Sequence, residues 1–175
     1  FMQPLGIISG TVIPQGRELF GDLQEEFIET EYGQAVVMRS DAVVFLPRHG
    51  TDPNRYILPH QINHRANMKA LCELSVREIV AINSAGSLHR KWKPGTIMVP
   101  DDFIMLTGIP GIHQTQAAHL TPQLDLKVRH YLLEAAREEG YPARTAAANS
   151  WVRWACMSVT ARRLSLKFRP PTGAQ

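Results

Sequence analysis

Long apolar runs, cysteine and acidic charge near the carboxyl end are what this sequence has little of. Its longest wholly apolar run is five residues, Ala42 to Leu46, against the roughly 20 needed to cross a bilayer as a helix. No membrane-spanning helix is expected. The two cysteines, Cys72 and Cys156, stand far apart and outside any CxxC pattern, so neither a disulfide framework nor a zinc knuckle is suggested. The opening residues FMQPLGIISG lack a basic stretch followed by a long apolar one, and do not read as a secretory leader. A reduced, cytoplasmic setting is the expectation.

Acids are missing from one region only. After Glu139 there is none, while Arg144, Arg153, Arg162, Arg163, Lys167 and Arg169 follow. Without those six, 13 of the 19 basic residues face all 16 acidic ones, so the net charge of +3 belongs to the tail. A nucleic-acid reading of the overall charge therefore reduces to a reading of the tail.

What is present suits one globular domain with a sizeable core: 175 residues, 44% hydrophobic and 20% charged. Strand-like runs occur at Leu5 to Ile8, Asp41 to Leu46, Glu78 to Ile82 and Thr96 to Val99. Between the second and third, Ile62, Ala66, Ala70, Leu71 and Leu74 recur at helical spacing within His60 to Leu74. A second helix is expected from Pro122 to Glu139, with Thr121 as N-cap and Gly140 as its stop. Buried strands alternating with helices predict an α/β domain, with a mainly mixed or parallel central sheet flanked by helices.

In such sheets ligands gather where strands end. Three strand ends here are chemically alike. Ser9-Gly10-Thr11 offers backbone N–H groups and two hydroxyls; Arg48-His49-Gly50 offers a fork of donors and an imidazole; Asn83-Ser84-Ala85-Gly86-Ser87 offers an amide, hydroxyls and small residues. Taken singly, these also fit ordinary tight turns and a surface Arg-His pair. Together, three donor-rich loops without an acid after successive strands point to an anion. His60 and His64 stand four apart, a spacing that can place two imidazoles on one helix face, but no glutamate follows His60 as in HExxH. No metal is expected. Trp92, between Lys91 and Lys93, reads as a turn residue packing on its own domain.

LGIISGT, FLPRHG, ILPHQINHRANMKAL, AINSAGSL and KPGTIMVPDDFI, in that order, resemble the trimeric purine nucleoside phosphorylase family, in particular its 5'-methylthioadenosine phosphorylase branch, between residues 5 and 145. The resemblance implies a nucleoside phosphorylase-like domain over residues 1–147, incomplete at its C-terminal end. It implies that phosphate attacks the anomeric carbon of a purine nucleoside and the base leaves. Thr11, Arg48, His49, Asn83 and Ser84 would then hold the phosphate, Arg48 by a bidentate grip and His49 as a further donor. Ala85, Gly86 and His119 would contact the nucleoside, His119 reaching into a neighbouring subunit's pocket in a homotrimer. The only co-substrate implied is inorganic phosphate, with no cofactor and no metal, and no general acid or base is singled out.

The chain departs from that pattern in SGTVI, where a second glycine is usual, in KPGT, and above all after Ala146. Residues 148–175 form an atypical basic tail holding two of the three tryptophans. Three accounts stay open for it: a disordered segment, a frame-shifted end and a natural short variant. Two functional alternatives follow. One is a catalytically inactive phosphate- or nucleotide-binding or regulatory remnant of the family. The other is a nucleic-acid module in which the tail stacks bases, which would bind with strong salt dependence. The frame-shift account predicts that another reading frame past codon 145 encodes a GPxxET-like segment; resequencing the coding DNA checks it, and its absence would sink that account.

Overall fold

The computed structural model describes residues 3–10, 20–52, 54–84, 90–102 and 123–145, and the backbone of 157–163. Its strands are β1 (Leu5–Ser9), β2 (Gln24–Thr30), β3 (Gly33–Arg39), β4 (Val43–Pro47), β5 (Glu78–Ser84), β6 (Ile97–Met98), β7 (Ala143–Arg144) and β8 (Met157–Arg163). Its α-helices are α1 (His64–Glu73) and α2 (Leu126–Glu138). The described strands form one sheet in the order β2-β3-β4-β1-β5-β8-β6-β7. β1 runs parallel to both β4 and β5, with Ser9 opposite Pro47 and Ile8 opposite Ala81. β3 is antiparallel to β4, and β8 to β5. The α/β fold with a mixed sheet flanked by helices is the one expected.

The apolar run that ends at Leu46 is explained by burial on both sides. Every residue of β4 is buried. Val44 and Leu46 face a cluster with Val37, Leu71, Val76 and Ile79, to which α1 contributes Leu71. Val43 and Phe45 face a second cluster with Ile7 and Leu23. Val80 of β5 packs with Val128 of α2. A strand buried on two faces has no polar alternation to show, hence the continuous run in the sequence.

The hairpin of β2 and β3 goes beyond the four expected strands. Ala35 and Val37 alternate inward on β3, while β2 shows Gln24, Glu25, Phe27 and Glu29 to solvent. Thr30 closes the turn, its Oγ1 donating to the Gly33 carbonyl at 2.6 Å and accepting from the Tyr32 N–H at 3.2 Å. α1 lies on this hairpin, with Ala66 and Ala70 against Ala35. Lys69 reaches Glu31 at 3.3 Å.

Helix starts fall later than their spacing suggests. Asn63 caps α1, its Oδ1 accepting from the Ala66 N–H at 3.1 Å while its Nδ2 donates to the Tyr32 carbonyl at 2.7 Å. Pro59–Gln61 form a separate 3-10 turn. The helix expected from His60 is therefore broken, and His60 and His64 belong to different elements. Asp125 caps α2 by accepting from the N–H groups of Lys127 and Val128 at 2.9 and 3.0 Å, so that helix begins at Leu126 and not at Pro122; Thr121 and Pro122 lie outside the described residues. Gly140 ends it as expected, its N–H donating to Arg137 O at 3.0 Å. Arg129 ties α2 to the chain after β6 through Pro100 O at 3.1 Å.

The tail segment 157–163 pairs through its backbone with β5 from Glu78↔Arg163 to Ser84↔Met157. Among the described residues no helix is long and apolar enough to cross a membrane.

Two glycines set local limits. A Cβ on Gly6 of β1 would stand 2.6 Å from Val76 Cγ1 and 3.1 Å from Ile79 Cγ1, both in the packed core. Gly6→Ala is expected to destabilise by about 2 kcal/mol through overpacking, read from the midpoint of denaturant unfolding. Gly50 has φ +88°, and a Cβ there would meet Ile57 only at ordinary contact, 3.5 Å. Gly50→Ala should therefore cost about 1 kcal/mol through the left-handed backbone alone; a larger loss in the same measurement would show that contact matters too.

Candidate anion site at the strand ends

β4, β1 and β5 are neighbours in the sheet and run parallel, so their carboxyl ends share one edge. That edge carries Arg48 after β4, Ser9 and Gly10 at the end of β1, and Asn83 and Ser84 as the last residues of β5. The three loops singled out in the sequence thus start side by side.

The Arg-His turn is built first from backbone. The Arg48 N–H donates to Ser9 O at 2.9 Å, carrying the β1–β4 ladder one residue further. The Gly50 N–H donates to Pro47 O at 2.9 Å and closes a tight turn. The chain then loops through Asp52, whose carboxylate accepts from the Asn54 N–H at 2.8 Å, and returns so that the Ile57 N–H donates to His49 O at 3.0 Å.

This return buries His49, which is 8% exposed. Its Nδ1 lies 2.7 Å from the Ile57 carbonyl. Its ring stacks on Tyr56, with centroids 4.4 Å apart and planes 16° apart. Its Nε2 lies 3.3 Å from Arg48 Nε, which donates to it. The chain after β1 crosses close by: a Cβ on Gly10 would stand 3.4 Å from His49 Cδ2 and 3.6 Å from Arg48 Nη2.

Arg48 is half-buried, and among the described residues no carboxylate pairs with it. A guanidinium held at one nitrogen, with its Nη2 beside Gly10, is suited to a bidentate oxyanion. Asn83 and Ser84 sit at the end of the second strand from Arg48, half-buried and exposed respectively. Thr11, Ala85, Gly86 and His119 lie outside the described residues.

Tyr56 and Ile57 escape sequence reasoning although they shape the turn. Their signal is faint: Tyr56, Ile57 and Leu58 are three apolar side chains exposed in a loop that also holds Asp52 and Asn54. Elsewhere, burial is the main influence pushing the Cys72 thiol up, with Lys69 and Arg77 opposing it, so it is not poised as a thiolate nucleophile. Among the described residues no three of His, Cys, Asp and Glu gather as a metal cluster.

Known proteins resemble this chain in sequence and in fold. A probable S-methyl-5'-thioinosine phosphorylase of Methanocaldococcus jannaschii is 50% identical over 105 residues, 59% of this chain and 40% of that protein. A probable 6-oxopurine nucleoside phosphorylase of Archaeoglobus fulgidus is 36% identical over 77% of this chain and 56% of its own length. An S-methyl-5'-thioadenosine phosphorylase of Pyrococcus abyssi is 33% identical over 81% of this chain and 57% of its own. The chain therefore spans about half the length of these relatives. A methylthioadenosine phosphorylase from Schistosoma mansoni solved with adenine shares the fold, with a TM-score of 0.63 at 23% identity over 85% of this chain and 66% of that one. The sequence model of the phosphorylase superfamily matches residues 4–151, which take in β1 to β7, both helices and the Arg48–His49 turn, and the chain belongs to that superfamily.

Proposed function

We propose that the chain is a purine or 5'-methylthiopurine nucleoside phosphorylase. A phosphate oxygen bonds to the anomeric carbon, the N-glycosidic bond breaks with its electron pair leaving on the base, and the products are free purine and ribose 1-phosphate or its methylthio analogue. The observation that carries the reading is Arg48, half-buried beside the Gly10 turn and without a carboxylate partner among the described residues. Membership of the superfamily and the names of the archaeal relatives support the substrate class.

In this reading Arg48 binds and orients the phosphate dianion, the step such a displacement needs most, because the nucleophile must be held in line with an oxocarbenium-like centre. Thr11, Asn83 and Ser84 add donors, Ala85, Gly86 and His119 face the nucleoside, and His119 acts across subunits of a homotrimer. No cofactor takes part, and the setting is cytoplasmic.

The test is release of free base from inosine, guanosine, adenosine, methylthioadenosine and methylthioinosine by the purified chain, with and without phosphate. Phosphate-dependent release from at least one nucleoside is expected, with Arg48→Ala lowering kcat/KM for phosphate by about 100-fold. A folded chain that releases nothing would favour the second reading, a binding or regulatory remnant; the short span against the relatives' lengths keeps that reading in view.

A further inference from the structure

We infer that His49 is a positioning residue that aims Arg48 at the anion, and that its imidazole donates no hydrogen bond to the anion itself. The inference rests on the phosphate reading of the strand edge, and refines which atoms do the holding.

The argument is one of donors and acceptors. The Ile57 carbonyl can only accept, so at 2.7 Å His49 Nδ1 must carry a proton. The Arg48 Nε–H can only donate, so at 3.3 Å His49 Nε2 must be bare. Only the neutral ring with its proton on Nδ1 satisfies both contacts. That ring has no N–H left over for a ligand.

Everything around the imidazole fixes it in this role. Its own backbone carbonyl accepts from the Ile57 N–H at 3.0 Å, so Ile57 holds residue 49 by both its carbonyl and its amide. Tyr56 covers one ring face at 4.4 Å, and the ring is 8% exposed. On the Arg48 side, one of five N–H donors goes to His49, and among the described residues the four on Nη1 and Nη2 remain, the pair that grips an oxyanion bidentately. Nη2 already lies next to the Gly10 turn, 3.6 Å from where a Cβ would be. Without the acceptor at Nε2 the long Arg48 side chain would regain its rotamers and the fork its freedom.

Two measurements on the whole chain test this. The first needs no phosphate: nitrogen-15 NMR of the histidine rings and of the Arg48 Nε–H. A proton on His49 Nδ1, a bare Nε2 and slow exchange at Arg48 Nε, unchanged on adding phosphate, are expected. A proton on Nε2, before or after phosphate is added, would overturn the inference. The second is a double-mutant cycle on inorganic phosphate affinity by calorimetry, using His49→Asn, whose amide keeps a donor near Ile57 O but whose shorter side chain places no acceptor at the Nε2 position that Arg48 uses, and Arg48→Lys, which keeps the charge but lacks the fork. His49→Asn should weaken phosphate binding about tenfold beside Arg48, and leave it unchanged in the Arg48→Lys background. An equal loss in both backgrounds would make His49 a direct ligand and overturn the inference. A chain with the expected ring proton that binds no phosphate would instead overturn the phosphate reading.

Discussion

The burial of β4 on both faces is the constraint from which the rest of the molecule follows. Val43 and Phe45 look into one cluster, Val44 and Leu46 into another, and β1 and β3 close the two sides. A strand so enclosed cannot slide by one residue without turning its whole inner pattern over. Its last residue, Pro47, is therefore fixed opposite Ser9, and the side chains that come next are delivered to a known place. Arg48 and His49 are polar because the strand ends there and useful because it ends nowhere else. The packing of a few aliphatic side chains thus sets the position of a charge.

The turn adds a second level of control. Backbone bonds from Gly50 to Pro47 and from Ile57 to His49 fold the loop onto the imidazole before any side chain meets a ligand. The ring is then pinned by Ile57 O and covered by Tyr56. Order at the guanidinium is inherited from order at the ring, and order at the ring from the loop.

Much of this was legible in the residues, and the limits are instructive. The alternation of strands and helices gave the α/β class, and the donor-rich stretches fell on β1, β4 and β5, which share an edge. Their legibility has a simple origin: strand ends buried on two faces are marked by abrupt changes from apolar to polar. The β2–β3 hairpin was not legible because glutamates occupy its outward positions and its inward residues on β3 are as small as Ala35. The start of α1 is not marked by periodicity, because Ile62 continues the helical spacing while Asn63, a capping residue, interrupts the backbone. Tyr56 and Ile57 could not be paired with His49 from sequence, since their meeting depends on a loop that doubles back over eight residues. Of the residues expected at the phosphate and the nucleoside, Arg48, His49, Asn83 and Ser84 are placed at the edge; Thr11, Ala85, Gly86 and His119 fall outside the described residues.

The acids that hid the hairpin from sequence reading have a further effect. β2 is an outermost strand of the described sheet, and its seven residues include Glu25, Glu26 and Glu29. A foreign strand that sought to extend the sheet there would have to lay its backbone along a line of negative charge. At the opposite border β7 offers two residues, too short a template to pair with. The exposed ring of Phe27, in other company a seed for aggregation, is thereby left without a continuous sticky edge around it. The same glutamates that obscure the fold in one dimension guard this one border against a foreign strand in three.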